Sequence, residues 1–288
     1  MSRYKVKVLA FGDNVVDKYE NERIMYPGGN SLNFSVYAKM LGVEKSAYMG
    51  YFGNDLEGEH VIDTLLSLKI ETVKCKQLSG ENGCAKVKIE NGERIFLSSN
   101  EGGIRKENPY ILDRFDLEYI SQFDLVHSGN YSFTEKELKK IKEIGIPISF
   151  DFSDDSNEEY YKKNAKNITF AFCSYDNEEE KVKEHLIKIK NYGPEIVCAS
   201  RGKNGCILYD GNKFYIQEAV ILNEVKDTMG AGDSLITSFL VNYISNKKNN
   251  LPKEENIKSS IKEAVKFAAD TCMLKGSFGF GKKYWDHK

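Results

Sequence analysis

Between residues 123 and 199 short apolar runs alternate with helical patterns, and few folds accommodate that rhythm. The runs at 123–127, 147–151, 168–172 and 195–199 are bounded by polar or Gly-containing turns, as strands buried on both faces are. Residues 134–143, 157–165 and 178–190 read as helices between them. This repeat predicts a parallel sheet with helices on its faces. Residues 5–11 add an opening strand that stops at Gly12, and 233–244 and 254–274 add two long helices.

One stretch departs from the rhythm. Asn91-Gly92 separates the alternating runs 83–90 and 93–97, the strongest short-range hairpin signal, because both turn residues need positive φ. Asp210-Gly211 marks a second hairpin between 206–209 and 213–216. With no internal repeat or low-complexity linker, residues 1–288 read as one α/β domain carrying a small antiparallel flap.

Composition removes several classes. Forty-one Lys and Arg face 43 Asp and Glu, a net charge of −2, so the chain lacks the basic field that non-specific nucleic-acid binding needs. No apolar run approaches the roughly 20 residues of a membrane span, and Met1-Ser2-Arg3 leads into a strand and not a signal peptide. The expectation is a soluble, cytoplasmic protein without nucleic-acid or membrane partners. Six cysteines without a C-x-x-C pair read as reduced thiols, and His60, His127, His185 and His287 have no zinc-ligand spacing.

The segment that carries chemistry is Asp227-Thr228-Met229-Gly230-Ala231-Gly232-Asp233-Ser234, which runs into an apolar helical stretch. A glycine-rich turn at a helix N-terminus is an anion site, through free N–H groups and the helix dipole. An acid there repels an anion unless it takes a proton. Asp233 is therefore either a base beneath a substrate hydroxyl, with the amides of Gly230, Ala231 and Gly232 facing a phosphoryl group, or a helix cap. Other phosphate-binding patterns are absent: there is no G-x-x-x-x-G-K-[ST], and no G-x-G-x-x-G follows the first strand.

These residues resemble the ribokinase-like (phosphofructokinase B) sugar kinases, whose signature is D-T-x-G-A-G-D. Further segments match in the family's order: Gly12-Asp13-Asn14-Val15-Val16-Asp17, Gly28-Gly29-Asn30-Ser31-Leu32-Asn33, Gly50 to Gly58 as G-x-x-G-x-D-x-x-G, and Ser200-Arg201-Gly202-Lys203-Asn204-Gly205. The resemblance spans essentially the whole chain. It implies a three-layer Rossmann-like (ribokinase-like) sandwich with a small β-sheet lid built from about 13–27 and 80–104. Tyr19, Val36, Tyr37, Glu101-Gly102, Asp151-Phe152-Ser153-Asp154 and Met229 are most similar to the family's fructosamine kinases, which act at O6 of fructoselysine. Fructokinase, ribokinase, 2-keto-3-deoxygluconate kinase, a nucleoside kinase and a catalytically silent relative are the alternatives.

Residue by residue, the resemblance implies a sugar held by Asp13, Asp17, Gly29, Asn30 and Asn33, carboxylates and amides that pair with hydroxyls donating and accepting at once. Glu101 is the candidate for a cationic amine of the substrate; its bland reading is a solvated loop acid, and that of Asn30 and Asn33 is a helix cap and first-turn residue. ATP is expected at Ser200, Gly202, Gly205, Thr228, Gly230, Gly232 and Gly276. Where the family shows N-x-x-E, this chain has Ser174-Tyr175-Asp176-Asn177, so Mg²⁺ is assigned to Glu178 through water. A monovalent cation, K⁺, is expected near Asp227 by resemblance alone. A homodimer through Ala85, Val87, Ile89 and Ile95 of the lid is one reading; closure of those residues over the sugar is the other.

Overall fold

The computed structural model describes residues 2–90, 93–155 and 157–285. The chain opens with strands β1 (Tyr4–Phe11), β2 (Val15–Tyr19) and β3 (Ile24–Gly28), helix α1 (Asn30–Leu41), β4 (Val43–Met49), β5 (Tyr51–Phe52), α2 (Leu56–Ser67) and β6 (Lys76–Gln77). It continues through β7 (Cys84–Glu90), β8 (Glu93–Ser99), α3 (Ile104–Glu107), α4 (Arg114–Ile120), β9 (Leu125–Gly129), α5 (Leu138–Glu143), β10 (Ile148–Asp151) and α6 (Glu158–Asn164). The last third is β11 (Phe170–Ser174), α7 (Glu179–Asn191), β12 (Ile196–Ser200), β13 (Cys206–Tyr209), β14 (Phe214–Gln217), α8 (Ala231–Lys248), α9 (Lys253–Thr271) and β15 (Lys282–Lys283).

The main sheet has eight strands in the order β14-β13-β12-β11-β10-β9-β1-β4. From β12 to β4 every pairing is parallel, whereas β13 and β14 fold back antiparallel through the turn at Asp210-Gly211. Both faces are buried, which is why the strands read as continuous apolar runs. Val6, Val8 and Ala10 of β1 enter the core beneath α1, α8 and α9, while Leu9 and Phe11 enter the one beneath α4 to α7. Phe170 and Phe172 against Ala171 and Cys173 repeat that division on β11. On α7 only Val182, Leu186 and Ile189 are buried, the stripe a helix with one wet face needs.

A second sheet, β15-β3-β2-β7-β8, lies apart from the first. β7 and β8 pair antiparallel as expected, and the Asn91-Gly92 turn itself falls outside the described residues. Val87 is buried in a cluster with Tyr19 and Tyr26, so it serves this sheet's own packing, whereas Ile95 is exposed. The strand β15, which sequence patterning does not reveal, adds an edge next to β3.

The helix expected from residue 134 begins at Leu138. Thr134 and Glu137 are used instead as loop anchors: Thr134 shares a hydrogen bond with Ser128, and Glu137 accepts from Leu112 N and Lys140. All six cysteines are free thiols. Among the described residues no helix is long and apolar enough to cross a membrane.

Candidate active site

Helices α1 and α8 bring their N-termini together at the carboxyl edge of the parallel strands, where open α/β sheets bind ligands. No side chain of its own caps α1. Asp13, in the turn after β1, accepts from Asn30 N (2.7 Å) and Ser31 N (3.0 Å) and also from Ser132 Oγ (2.8 Å). That anchor fixes Asn30 and Asn33, three apart and so neighbours on the helix surface.

Both asparagines face Asp233. Asn30 Nδ2 donates to its Oδ1 at 2.7 Å and Asn33 Nδ2 to its Oδ2 at 2.6 Å. Asp233 sits in the first turn of α8, whose N-cap is Gly230 in the left-handed region (φ 73°) with no side-chain cap. The carboxylate is therefore held by the facing helix, and its place is not that of a cap. Asn30 Nδ2 also donates to Asp151 Oδ2 at 2.9 Å, and Asn30 Oδ1 lies 3.0 Å from His127 Nε2. Asp151, the last residue of β10, and His127, in the middle of β9, were not among the expected site residues. An acid closing the apolar run 147–151 was the available signal, and His127 carried none.

The charges here are poorly solvated. Burial chiefly, and then the Asp151 charge, push the Asp233 carboxyl up to about 7, against the opposing hydrogen bonds from Asn33 and Asn30. Burial likewise raises Asp151 to about 6 and lowers His127 to about 3, so the imidazole is neutral at working pH. A carboxyl poised near neutrality beside a hydroxyl is suited to general-base work. Asn33 Oδ1 is buried without a hydrogen-bond donor.

Other expected residues fall in different settings. Asp17 is buried on β2, where a Cβ placed on Gly28 would lie 2.9 Å from its Oδ2. Gly29 is the N-cap of α1. Glu101 is exposed and ion-paired with Lys106, away from the Asp233 cluster. Asp227 accepts from Tyr19 OH (2.6 Å), Gly276 N (3.0 Å) and Met229 N (3.0 Å), so it ties the glycine turn to the small sheet, and a cation there would compete with three donors. Glu178 is exposed beside Lys181, and among the described residues no three His, Cys, Asp or Glu side chains cluster as a metal site.

Ser200 closes β12 on the same carboxyl edge, with Gly202 and Gly205 just beyond. Gly202 has open space around it, but a Cβ on Gly205 (φ 77°) would run into the backbone of Gln217, and one on Gly276 into the Tyr26 ring. Gly205→Ala should therefore destabilise the fold by about 2–4 kcal/mol. Gly202→Ala should cost only about 1 kcal/mol and raise the KM for ATP. Thermal melts and ATP kinetics on the two variants check this contrast.

The pattern of the pfkB family carbohydrate kinases matches residues 4–276. A fructosamine kinase, FrlD, of Bacillus subtilis (strain 168) is 37% identical over 281 residues, 97% of this chain and 95% of its own length. Fructoselysine 6-kinase of Escherichia coli (strain K12) is 28% identical over 239 residues, 83% of this chain and 90% of its own. Among solved structures, an Arabidopsis thaliana ribokinase with ribose and ATP superposes with a TM-score of 0.76, covering 95% of this chain and 94% of that one at 18% identity. The fold is thus ribokinase-like, and its chemistry is that of a carbohydrate kinase. The chain belongs to the pfkB carbohydrate kinase family.

Proposed function

We propose that the chain transfers the γ-phosphoryl group of ATP to the primary hydroxyl of a fructosamine, with fructoselysine phosphorylated at O6. The observation that carries this reading is the Asp233 carboxylate, which accepts a side-chain amide hydrogen bond on each oxygen and is held just inside a glycine turn that opens a helix. The fructosamine kinase and fructoselysine 6-kinase relatives support the substrate class.

In the reaction the sugar hydroxyl gives its proton to Asp233, its oxygen bonds to the γ-phosphorus, and the bond from that phosphorus to ADP breaks. Ala231 N is engaged by Thr228 O (3.2 Å), which leaves the N–H groups of Gly230 and Gly232 to face the transferring group. Asn33 orients Asp233 through Nδ2 and offers Oδ1 to the sugar. Glu178 would reach an ATP-bound Mg²⁺ through water, and the ion would supply charge to offset the phosphates. The small sheet acts as a lid that excludes water from the transfer.

A panel of fructoselysine, fructose, ribose, 2-keto-3-deoxygluconate and adenosine, followed by ATP consumption, tests the reading. The highest kcat/KM is expected for fructoselysine; a preference for any other member overturns the substrate assignment, and turnover of none overturns the activity. The base must be ionised to accept a proton, so kcat/KM should fall about tenfold per pH unit below the Asp233 value of about 7. A pH–rate profile flat from 5 to 8 would contradict it.

A further inference from the structure

We propose that His127 is a positioning residue for Asp233, acting through the side-chain amide of Asn30. The inference rests on Asp233 as the base and goes beyond it, to what holds that base in place.

Asn30 Nδ2 uses both of its hydrogens on carboxylates, Asp151 Oδ2 and Asp233 Oδ1. Turning the amide over would set Oδ1 against two acids, so Oδ1 must face His127 and accept from it. That requirement selects the imidazole tautomer with hydrogen on Nε2. Nδ1 is then an acceptor, and Ser149 Oγ, 3.0 Å away, donates to it.

The ring is rigidly placed. His127 and Ser149 are register partners on β9 and β10, and Asp151 lies two residues further along β10. The imidazole is fully buried and stacks on Phe34, with centroids 4.3 Å apart and planes 19° off parallel. Burial keeps it neutral, so its one N–H stays on Nε2 across the working range. Two strands of the main sheet thus fix the donor that anchors Asn30 Oδ1, and the anchored amide holds one oxygen of the base.

Removing the donor leaves Asn30 Oδ1 buried without a partner, and the amide then gains by tilting Oδ1 toward another donor, which draws Nδ2 off Asp233 Oδ1. A donor lost from a carboxylate disfavours the charged form. The groups bearing on the Asp233 charge are Asp13 in the turn after β1, Asp151 on β10, and Asn30, Asn33 and Tyr37 on α1, with neutral His127 on β9 one step behind Asn30. Loss of the Asn30 bond should therefore move the acid limb of kcat/KM to higher pH. Removal of the Asp151 charge should move it to lower pH.

The test uses paired variants of the full chain with fructoselysine and ATP. In His127→Gln the amide nitrogen takes the place of Nε2, so kcat and the acid limb should stay close to wild type. In His127→Asn the shorter amide reaches only the Nδ1 position, so Ser149 keeps a partner while Asn30 loses its donor. That variant should lose about 10- to 100-fold in kcat, with the acid limb raised and the KM for ATP little changed. Asp151→Asn should move the limb the opposite way.

Equal losses in the Gln and Asn variants with an unmoved acid limb would mean that His127 only packs, and would overturn the proposal. A variant set in which Asp233→Asn keeps turnover would sink the parent reading instead. An inactive Asp233→Asn beside an unaffected His127→Asn would sink this proposal alone.

Discussion

Asp233→Asn should lower kcat by about 10³- to 10⁴-fold while ATP still binds with near wild-type affinity. The substitution keeps the shape of the side chain and removes its capacity to take a proton. The carboxylate does not cap α8, so the helix start is not undone by the change. One oxygen becomes an amide nitrogen that must face the N–H of Asn30 or Asn33, which adds local disorder at the site and not unfolding. Single-turnover kinetics together with nucleotide titration separate the two effects. Retention of more than a tenth of the activity would mean that proton removal is not Asp233's role.

Gly230→Ala should cost both stability and rate, about 2–4 kcal/mol and roughly 100-fold in kcat. Gly230 turns the chain into α8 at φ 73°, where an L side chain is strained. An added Cβ would also collide with the Tyr37 hydroxyl and sit 2.9 Å from Ser277 Cβ. Those two residues are coupled to the site: Tyr37 OH donates to Ser277 O (2.6 Å), and Ser277 Oγ accepts from Asn33 Nδ2 (3.1 Å). Relief of the clash therefore shifts Asn33 and the carboxylate it holds. Gly232→Ala is the control, because nothing lies within 4 Å of its Cβ position. Its melting temperature should match wild type, and any loss should appear in phosphoryl transfer. Equal melting temperatures for the two alanine variants would contradict this view of the turn.

The sheet and the glycine turn were legible because each leaves a local mark. Buried parallel strands are short apolar runs, and the turn needs small residues directly before an apolar helix. The contacts that build the site leave no such mark. Tyr19 and Asp227 are 208 positions apart, and their hydrogen bond exists only because the small sheet folds over the α8 turn. His127 looked like a histidine without metal spacing; parallel register with Ser149 and the reach of Asn30 give it a place in the site. Gly205 and Gly276 fit a nucleotide motif by pattern, and an added Cβ on either would also meet Gln217 or Tyr26. Glycine marks close approach without saying to what. Glu101 is an acid at a plausible motif position that forms an exposed ion pair with Lys106.

The most direct test of the central claim is NMR of the product formed from fructoselysine and ATP. A single phosphomonoester, with the phosphorus coupled to C6 of the sugar and one ADP released per product, is the predicted result. ATP left intact, or phosphate attached at any other hydroxyl, would contradict it.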